Sequence, residues 1–441
     1  MSSTIAVDDL RVGMFIQLDG GWLSHPFPLS SFRIASPEQI ATLRGLGLAR
    51  VRWVPEKSDL PITADAEAEA VHAGAAVGAL ARSGAAAGAA GSEAGLTKLS
   101  SAEERAAEAR RQTLATQRDA VQRCERQHAE AAKAWREAND AVGAQPKEAG
   151  RTTEALTRAM LSKMLEAEEV GIRLIAGGGD RAAGHALNVS VISMLIGRTL
   201  GLSEPELLDL GTGALMHDVG KQEVPDRFRH HDESFSAAEV NAYRDHVSKG
   251  VALGLRMGLG AGAMSVLAQH HEQIDGSGFP LRLTADRMST GARLVALINR
   301  YDNLCNPQAR GLALTPHEAV SVLFAQGRNR FDPAVLNAFI RMMGVYPAGS
   351  LVQLTDDRFA MVVGVNSSRP LKPRVLVHDI RVPRNEALVL DLEREPDIGI
   401  RRSLASNKLP TAALEYLDPR PRVIYYFEPL RAEEAQRELA A

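Results

Sequence analysis

The histidines of this chain are concentrated in one stretch, because seven of the twelve lie between residues 185 and 271. Five of these seven form, with one aspartate, an ordered set of potential metal ligands: His185, His217, Asp218, His246, His270 and His271. Imidazole and carboxylate groups suit the divalent metals of hydrolytic sites. The set therefore predicts a metal-dependent hydrolytic centre. The other two, His230 and His231, lie in a polar stretch and are expected to be exposed loop residues.

Two pairs within the set are adjacent in sequence, His217-Asp218 and His270-His271. Neighbouring residues of a helix point about 100° apart and do not face one another, so these pairs suit two metal ions better than one. A carboxylate at Asp218 is then able to bridge the two ions, with each histidine serving one side. Two metals about 4 Å apart activate a shared water and hold both the attacking and the leaving oxygen of a phosphate ester. We therefore expect metal-assisted phosphoester hydrolysis, with Asp218 as a catalytic residue.

A lysine follows the first pair at a useful distance. Residues 210–216 are mostly apolar or small, which predicts a buried helix that carries His217 and Asp218 inward. Lys221 lies four residues after His217, about one helical turn further along. A lysine there is expected to hold a phosphate oxygen or to stabilise negative charge in the transition state. Lys221 is thus a candidate for both catalysis and substrate binding.

These motifs, with the Gly-rich turn that follows them, resemble the HD-GYP family, a branch of the HD metal-dependent phosphohydrolases. The resemblance covers roughly residues 165–330. The matching pieces are His185 with Val189, His217-Asp218-Val219-Gly220-Lys221 with Val224-Pro225, His246 with Gly250, His270-His271-Glu272, and Asp275-Gly276-Ser277-Gly278-Phe279-Pro280. The first 56 residues resemble the small domain of unknown function that often precedes HD-GYP in bacterial proteins.

The resemblance implies hydrolysis of cyclic di-GMP to linear pGpG or GMP in bacterial second-messenger signalling. It implies two divalent metal ions, most often iron or manganese, held by the six residues above and by Asn299 at the position of a further ligand. The implied substrate-binding residues are Lys221, Gly276, Gly278, Phe279 and Arg310. The two glycines also have an architectural explanation, a tight turn with positive φ. The implied partners are cyclic di-GMP and signalling proteins, with no nucleic acid polymer and no membrane.

The chain departs from the family pattern at several positions. Asn299 stands where an aspartate ligand is expected, and a neutral amide is a weaker ligand than a carboxylate; Asp302 matches an aspartate that is usually structural. Phe279 replaces the tyrosine of the GYP element and lacks its hydroxyl. Arg181 replaces the glutamate that marks three-metal members, which favours two ions at most. The family has an arginine and a lysine that bind substrate phosphates shortly after the helix containing positions 299 and 302. Here only Arg310 is a partial substitute for them.

Three functions follow from this combination. The first is an active cyclic di-GMP phosphodiesterase, which the nearly complete ligand set favours. The second is a catalytically degenerate receptor or adaptor that binds cyclic di-GMP or a partner protein, which Asn299 and Phe279 favour. The third is an HD hydrolase for another nucleotide, against which the Gly-rich turn argues.

Composition sets broader limits. A length of 441 residues exceeds one compact domain, and 45% hydrophobic with 24% charged residues is ordinary for a globular protein. The net charge of −3 does not indicate binding to nucleic acid. Cys124 and Cys305 lack the spacing of a disulfide scaffold or zinc finger. No signal peptide is evident, and no apolar run reaches the roughly 18 residues that span a bilayer, so a cytoplasmic location is expected.

Four parts are predicted along the chain: a small α+β domain at 1–60, an Ala-rich linker and helix at 61–146, an all-α HD-GYP-like domain at 147–344, and a small β-rich domain at 345–441. Apolar spacing predicts helices at 155–175, 189–200 and 207–216. Within 101–142, a seam of residues recurs every seven positions: Leu114, Val121, His128, Trp135 and Val142. This seam predicts either a coiled coil that forms a homodimer or a solvated helix.

Overall fold

The computed structural model describes residues 3–17, 31–34, 37, 40, 43–44, 48, 50–58, 91–176, 180–232, 234–327, 329–365 and 370–430. The chain forms two compact units, Met1–Glu104 and Arg105–Ala441. Among the helices of the described ranges, none combines the length and the apolar character needed to cross a membrane.

The N-terminal unit contains a four-stranded antiparallel sheet in the order β1-β4-β2-β3. Its strands are β1 Ser3–Ala6, β2 Phe15–Gln17, β3 Ser31–Arg33 and β4 Arg50–Trp53. The same unit contains helical residues, among them Pro37, Ile40 and Leu43. Residues 61–90 of the predicted Ala-rich linker lie outside the described residues.

The larger unit is a helical domain with a sheet-rich C-terminal region. Its helices are α1 Gly91–Ala141, of which residues 105–141 belong to this unit, α2 Pro146–Glu166, α3 Arg181–Thr199, α4 Glu204–Met216, α5 Ala237–Met257, α6 Ala261–Gln269, α7 Thr290–Cys305, α8 Pro316–Gln326 and α9 Pro333–Met343. Helix α3 begins at Asp180, whose carboxylate accepts hydrogen bonds from the N–H groups of Ala182 and Ala183. Most of α3 is buried, and it packs against α4, α7 and α9. It is therefore the central helix of the domain.

The seam of helix α1 packs against the same chain rather than against a second copy. Cys124, His128 and Trp135 are buried, as are Ala138 and Val142. The His128 ring lies edge-on to the ring of Tyr426, and Trp135 Nε1 donates a hydrogen bond of 2.8 Å to the carbonyl oxygen of Leu215. The interpretation of the seam as a coiled coil between two chains is therefore wrong from residue 124 onward. The period of seven marks a helix with one narrow buried face, which looks the same in sequence whether its partner is another chain or a domain core.

A seven-stranded antiparallel sheet covers one side of this unit. Five strands follow the order β10-β6-β7-β5-β11, while β8 pairs with β7 and β9 pairs with β8. The strands are β5 Val170–Leu174, β6 Leu351–Leu354, β7 Phe359–Val365, β8 Arg374–Val377, β9 Val389–Asp391, β10 Ile400–Leu404 and β11 Tyr425–Pro429, with helix α10 at Thr411–Leu417. The sheet and the helices share one hydrophobic core.

Strand β5 corrects two predictions. The helix predicted over 155–175 ends at Glu166, and the region 147–344, predicted to be all-α, contributes β5 to the middle of the sheet between β7 and β11. Val170, Ile172 and Arg173 are buried there. The polar and apolar pattern of these residues does not indicate a strand, because both faces of β5 are covered and the alternation of a half-exposed strand is missing. The strands that pair with it come only after residue 358.

Candidate metal centre

The predicted ligands come together from four helices. His185 lies on α3, His217 and Asp218 follow the last residue of α4, and His246 lies on α5; His270 and His271 follow the last residue of α6. Their ligand atoms form two groups, each within 4.8 Å: His185 with His217 and Asp218, and His246 with His270, His271 and Asp218. Asp218 belongs to both groups. His270 and His271 lie in the same group, unlike the expected division of adjacent residues between two ions, because the chain turns at the end of α6.

Asp218 presents one carboxylate oxygen to each group. Its Oδ2 lies 3.6 Å from His185 Nε2 and 3.4 Å from His217 Nε2. Its Oδ1 lies 3.7 Å from His246 Nε2 and 3.8 Å from His270 Nε2. This is the arrangement of a carboxylate that bridges two cations.

The histidines are held in the tautomer that a metal ligand requires. His217, His246 and His270 each donate from Nδ1 to the carbonyl oxygen three residues earlier, at 2.7, 2.6 and 2.9 Å. His185 donates from Nδ1 to the buried carboxylate of Asp302 at 2.6 Å. Because a carbonyl or carboxylate only accepts, Nδ1 carries the proton in all four rings, and each Nε2 presents a lone pair to the centre.

The spacing of these lone pairs fits bound cations. The Nε2 atoms of His185 and His217 are 3.1 Å apart, and those of His246 and His270 are 3.3 Å apart. Two lone pairs at such distances repel each other unless a cation lies beside both. In addition, Asp218 Oδ1 is buried and has no hydrogen-bond donor among the described residues. These orphaned acceptors form a cluster of ligands suited to divalent metal ions.

The electrostatics favour the metal-binding forms of the same groups. Burial lowers the pKa of His246 to about 4 and holds the pKa of His270 and His271 well below the ordinary value. Burial alone would raise the pKa of Asp218, but interactions with neighbouring groups, that with the charge of Lys221 foremost, outweigh it and hold this pKa well below its usual range. Neutral imidazoles around an ionised carboxylate are the protonation states that bind metal.

A close backbone contact brings the two ligand groups together. After His217 the chain forms a short 3-10 helix, Val219–Glu223, which packs against α5. A Cβ atom on Gly220 would lie 1.9 Å from the carbonyl oxygen of His246 and 2.3 Å from the amide nitrogen of Gly250. Only glycine permits this approach, which places Asp218 beside His246. Lys221 therefore lies on the 3-10 helix rather than one α-helical turn on, and its Nζ is 2.6 Å from Asp218 Oδ2.

The Gly-rich turn is built by its glycines and presents its aromatic ring. Gly276 has a φ of +76°, and a Cβ on Gly278 would lie 2.4 Å from the amide nitrogen of Gln273. The architectural explanation thus accounts for both glycines, and neither lines the cavity beside the metal centre. Phe279 does line it, with its ring stacked on His271 at a centroid distance of 4.5 Å. The buried carboxylate of Glu272 holds the loop by accepting from the backbone of Leu281 and Leu283.

Asn299 lies on α7, is buried, and lines the same cavity as His270 and His271. Its Oδ1 accepts a hydrogen bond of 2.6 Å from Asn303, one turn further along the helix. Its assignment as a seventh ligand stays a prediction. The side chain of Arg310 lies outside the described part of the structure, so its role in substrate binding stays a prediction.

The cavity beside the metal centre has a volume of about 460 Å³ and contains several groups that the sequence did not single out. His230 and His231, expected in an exposed loop, both line it; His231 is exposed as expected, whereas His230 is half-buried. Three arginines also line it, Arg181, Arg300 and Arg330, and none forms an ion pair with a carboxylate of the described residues. They come from separate parts of the chain, so no spacing in the sequence connects them.

The comparisons with known proteins identify two domains. Residues 169–335 match the HD domain, and residues 2–152 match a domain of unknown function (DUF3391). Residues 169–335 are an HD domain. The second match extends beyond the first 56 residues and into helix α2. The predicted HD domain, preceded by this N-terminal domain, is confirmed.

Relatives of the HD protein include several phosphodiesterases. A cyclic di-GMP phosphodiesterase of Pseudomonas aeruginosa is 26% identical over 382 residues, which cover 86% of this chain and 85% of the relative. The cyclic di-GMP phosphodiesterase response regulator RpfG of Xanthomonas campestris is 31% identical, over 35% of this chain and 41% of its own. A 3'3'-cGAMP-specific phosphodiesterase of Vibrio cholerae is 28% identical, over 35% of this chain and 30% of its own. Among solved structures, an HDG"Y"P protein from Bdellovibrio bacteriovorus superposes with a TM-score of 0.41 at 14% identity, covering 77% of this chain and 98% of that one.

Proposed function

We propose that this protein is a phosphodiesterase that hydrolyses cyclic di-GMP to pGpG or GMP at a centre of two divalent metal ions. The observation that carries the proposal is Asp218, whose two carboxylate oxygens face two separate groups of histidines. That a cyclic di-GMP phosphodiesterase of Pseudomonas aeruginosa matches this chain over 85% of its own length supports the choice of substrate.

The ligand groups imply the chemistry of hydrolysis. When bound, the two ions supply Lewis-acid activation of the phosphate and of the attacking water. Asp218 sets the position of both ions at once, and the Nδ1 hydrogen bonds keep the imidazoles oriented. Lys221, 2.6 Å from Asp218, is within reach of a phosphate oxygen held beside that carboxylate and stabilises the charge that develops there.

The cavity suits an anionic nucleotide. Its volume lies in the range of small-molecule sites, and its basic residues are Lys221, Arg181, Arg300 and Arg330. Arginine forks match phosphate oxygens and also the edge of guanine. The ring of Phe279 offers a stacking surface that does not need the missing hydroxyl, and Arg244 lies 5.0 Å above it. We propose these residues as the substrate-binding set, in place of the basic residues that the family pattern leads one to expect near Arg310.

The metal and the setting complete the proposal. Ligands of mixed imidazole and carboxylate type suit iron or manganese. Action on a second messenger implies a place in signalling, with partner proteins. The cytoplasmic location stays a prediction from the sequence.

The test is turnover by purified, metal-loaded protein. Protein loaded anaerobically with Mn²⁺ or Fe²⁺ is expected to release pGpG or GMP from cyclic di-GMP, faster than it cleaves cyclic di-AMP or 3'3'-cGAMP. Asp218→Ala is expected to lower turnover by at least a thousandfold, because both ions lose a shared ligand. Asp245→Ala is the control, since Asp245 is exposed and precedes His246 directly.

A second candidate function is a receptor that binds cyclic di-GMP without hydrolysing it. The observation that favours it is Asn299, a neutral group facing the cavity where a carboxylate would strengthen metal binding. Tight binding of cyclic di-GMP with two ions bound and no turnover would select the receptor. Retained turnover in a folded Asp218→Ala protein would contradict the proposed catalytic centre.

A further inference from the structure

Asp302 is the group that orients His185, and its other carboxylate oxygen is held by two asparagines. Asp302 Oδ2 accepts from His185 Nδ1, as described above, while Oδ1 accepts from Asn188 Nδ2 at 2.7 Å and from Asn306 Nδ2 at 3.0 Å. Asp302 and Asn188 are fully buried. The carboxylate therefore has hydrogen-bond donors on both oxygens, which fix its position relative to α3.

Both asparagines also bind the backbone just before and within strand β11. Asn188 Nδ2 and Asn306 Nδ2 each donate to the carbonyl oxygen of Val423 at 2.9 Å. In return, Asn306 Oδ1 accepts from the amide nitrogen of Val423 at 2.9 Å, and Asn188 Oδ1 accepts from that of Tyr425 at 2.8 Å. Each amide group thus joins the carboxylate of Asp302 to the C-terminal backbone.

That backbone is itself held in place. Residues Tyr425–Pro429 pair along their whole length with β5. The buried hydroxyl of Tyr425 is 2.8 Å from that of Tyr301 on α7 and also donates to the carbonyl oxygen of Ala348. The C-terminal segment is therefore a fixed partner for the two asparagines rather than a loose end.

We propose that residues 423–425 are part of the support of the metal centre, and that Asn188 and Asn306 are positioning residues through which the C-terminal sheet holds Asp302 and hence His185. The ligand group of His185 and His217 depends on this support. The group of His246, His270 and His271 does not, because His246 and His270 bond through Nδ1 to carbonyls of their own helices, α5 and α6, and His271 Nε2 lies 3.3 Å from the hydroxyl of Tyr243 on α5. This inference rests on the metal centre of the proposed function but not on its substrate.

The test is metal stoichiometry and affinity, measured by Mn²⁺ titration and elemental analysis of the full chain without substrate. The unchanged protein is expected to bind two ions. Asn188→Ala and Asn306→Ala are expected to keep one ion and to bind the second at least tenfold more weakly, as supporting residues of metal ligands do. Ser190→Ala is the matched control, because Ser190 lies on the same helix and its buried hydroxyl bonds to Gly211 instead.

Two further variants distinguish support of His185 from general loss of structure. Val423→Pro removes the backbone N–H group from which Asn306 Oδ1 accepts a hydrogen bond, and it should weaken binding of the same ion. Thermal unfolding checks that this variant folds. Combining Asn188→Ala with His185→Ala should lower metal content no further than His185→Ala alone. Two ions bound with unchanged affinity in the asparagine variants would overturn the inference, as would a protein that binds no metal. Two ions without hydrolysis would overturn only the proposed function.

Discussion

At the scale of single residues, the centre depends on how each ligand atom is prepared before a metal arrives. Three histidines direct Nε2 inward because the carbonyl three residues earlier takes the Nδ1 proton. This preparation uses only local backbone, so it costs the fold little. Asn299 is the exception: its side-chain oxygen is engaged by Asn303 and carries no charge.

Replacing Asn299 by aspartate should strengthen metal binding. Asn299→Asp adds a negative charge to the buried wall that faces His270 and His271, and additional ligand charge raises affinity for divalent ions, here on the order of tenfold. Mn²⁺ titration measures the change. Asn303→Asp is the control, since it adds the same charge one turn away. Equal affinities in the unchanged protein and Asn299→Asp would show that residue 299 is not a ligand.

The positions of the histidine cluster could be anticipated from the sequence, while much of the cavity could not. His185, His217 and His246 lie on or directly after helices whose apolar spacing is readable, and the adjacent His270-His271 pair is conspicuous. Arg300 and Arg330 meet only because α7 and the loop after α8 fold together, and His230 lies beside Arg181, 49 residues earlier in the chain. No local pattern carries that information.

At the scale of elements, the decisive contact is between the 3-10 helix after His217 and helix α5. Gly220→Ala should separate them, because the added Cβ would fall 1.9 Å from the His246 carbonyl oxygen. Overpacking of this kind costs about 1–3 kcal/mol of unfolding free energy and should also weaken metal binding. Urea unfolding and metal titration measure both. Gly143→Ala is the control, since a Cβ there meets nothing within 4 Å.

Helices and strands with one buried and one exposed face could be predicted from the sequence. Those that pair with segments far away in the sequence could not. The extent of α1 through residue 141 follows from its composition and period, but not which surface covers its seam. Strand β5 has no readable period because β7 and β11 enclose it within the sheet. Its short apolar run resembles the end of helix α2, so the helix was predicted to continue.

At the scale of the whole molecule, the metal-free protein should lose stability in mild acid. Burial lowers the folded-state pKa of His246, His230 and His128 to about 4, whereas an unfolded histidine titrates near 6.5. Between these values the unfolded chain binds more protons, so the unfolding free energy falls as pH falls from about 6.5 to 4. Each such histidine contributes up to about 1.4 kcal/mol per pH unit.

Urea unfolding in the presence of a chelator, at pH 7, 6 and 5, measures this slope. His246→Asn should reduce the slope of unfolding free energy against pH by up to about 1.4 kcal/mol per pH unit, the contribution of one histidine. A stability that does not change over this range would contradict the burial of these rings in the neutral form.

The bond between Asn188 and Val423 joins residues 235 positions apart. At a synthesis rate of about 5–20 residues per second, a ribosome that has made Asn188 needs roughly 10–50 s more to reach Val423. The histidines of both ligand groups are complete once His271 is made, 83 residues after Asn188 and well before Val423, and from then on only the group of His246 has all of its supporting partners. The order of translation therefore sets an order of maturation, in which one half of the centre is ready to capture metal well before the other.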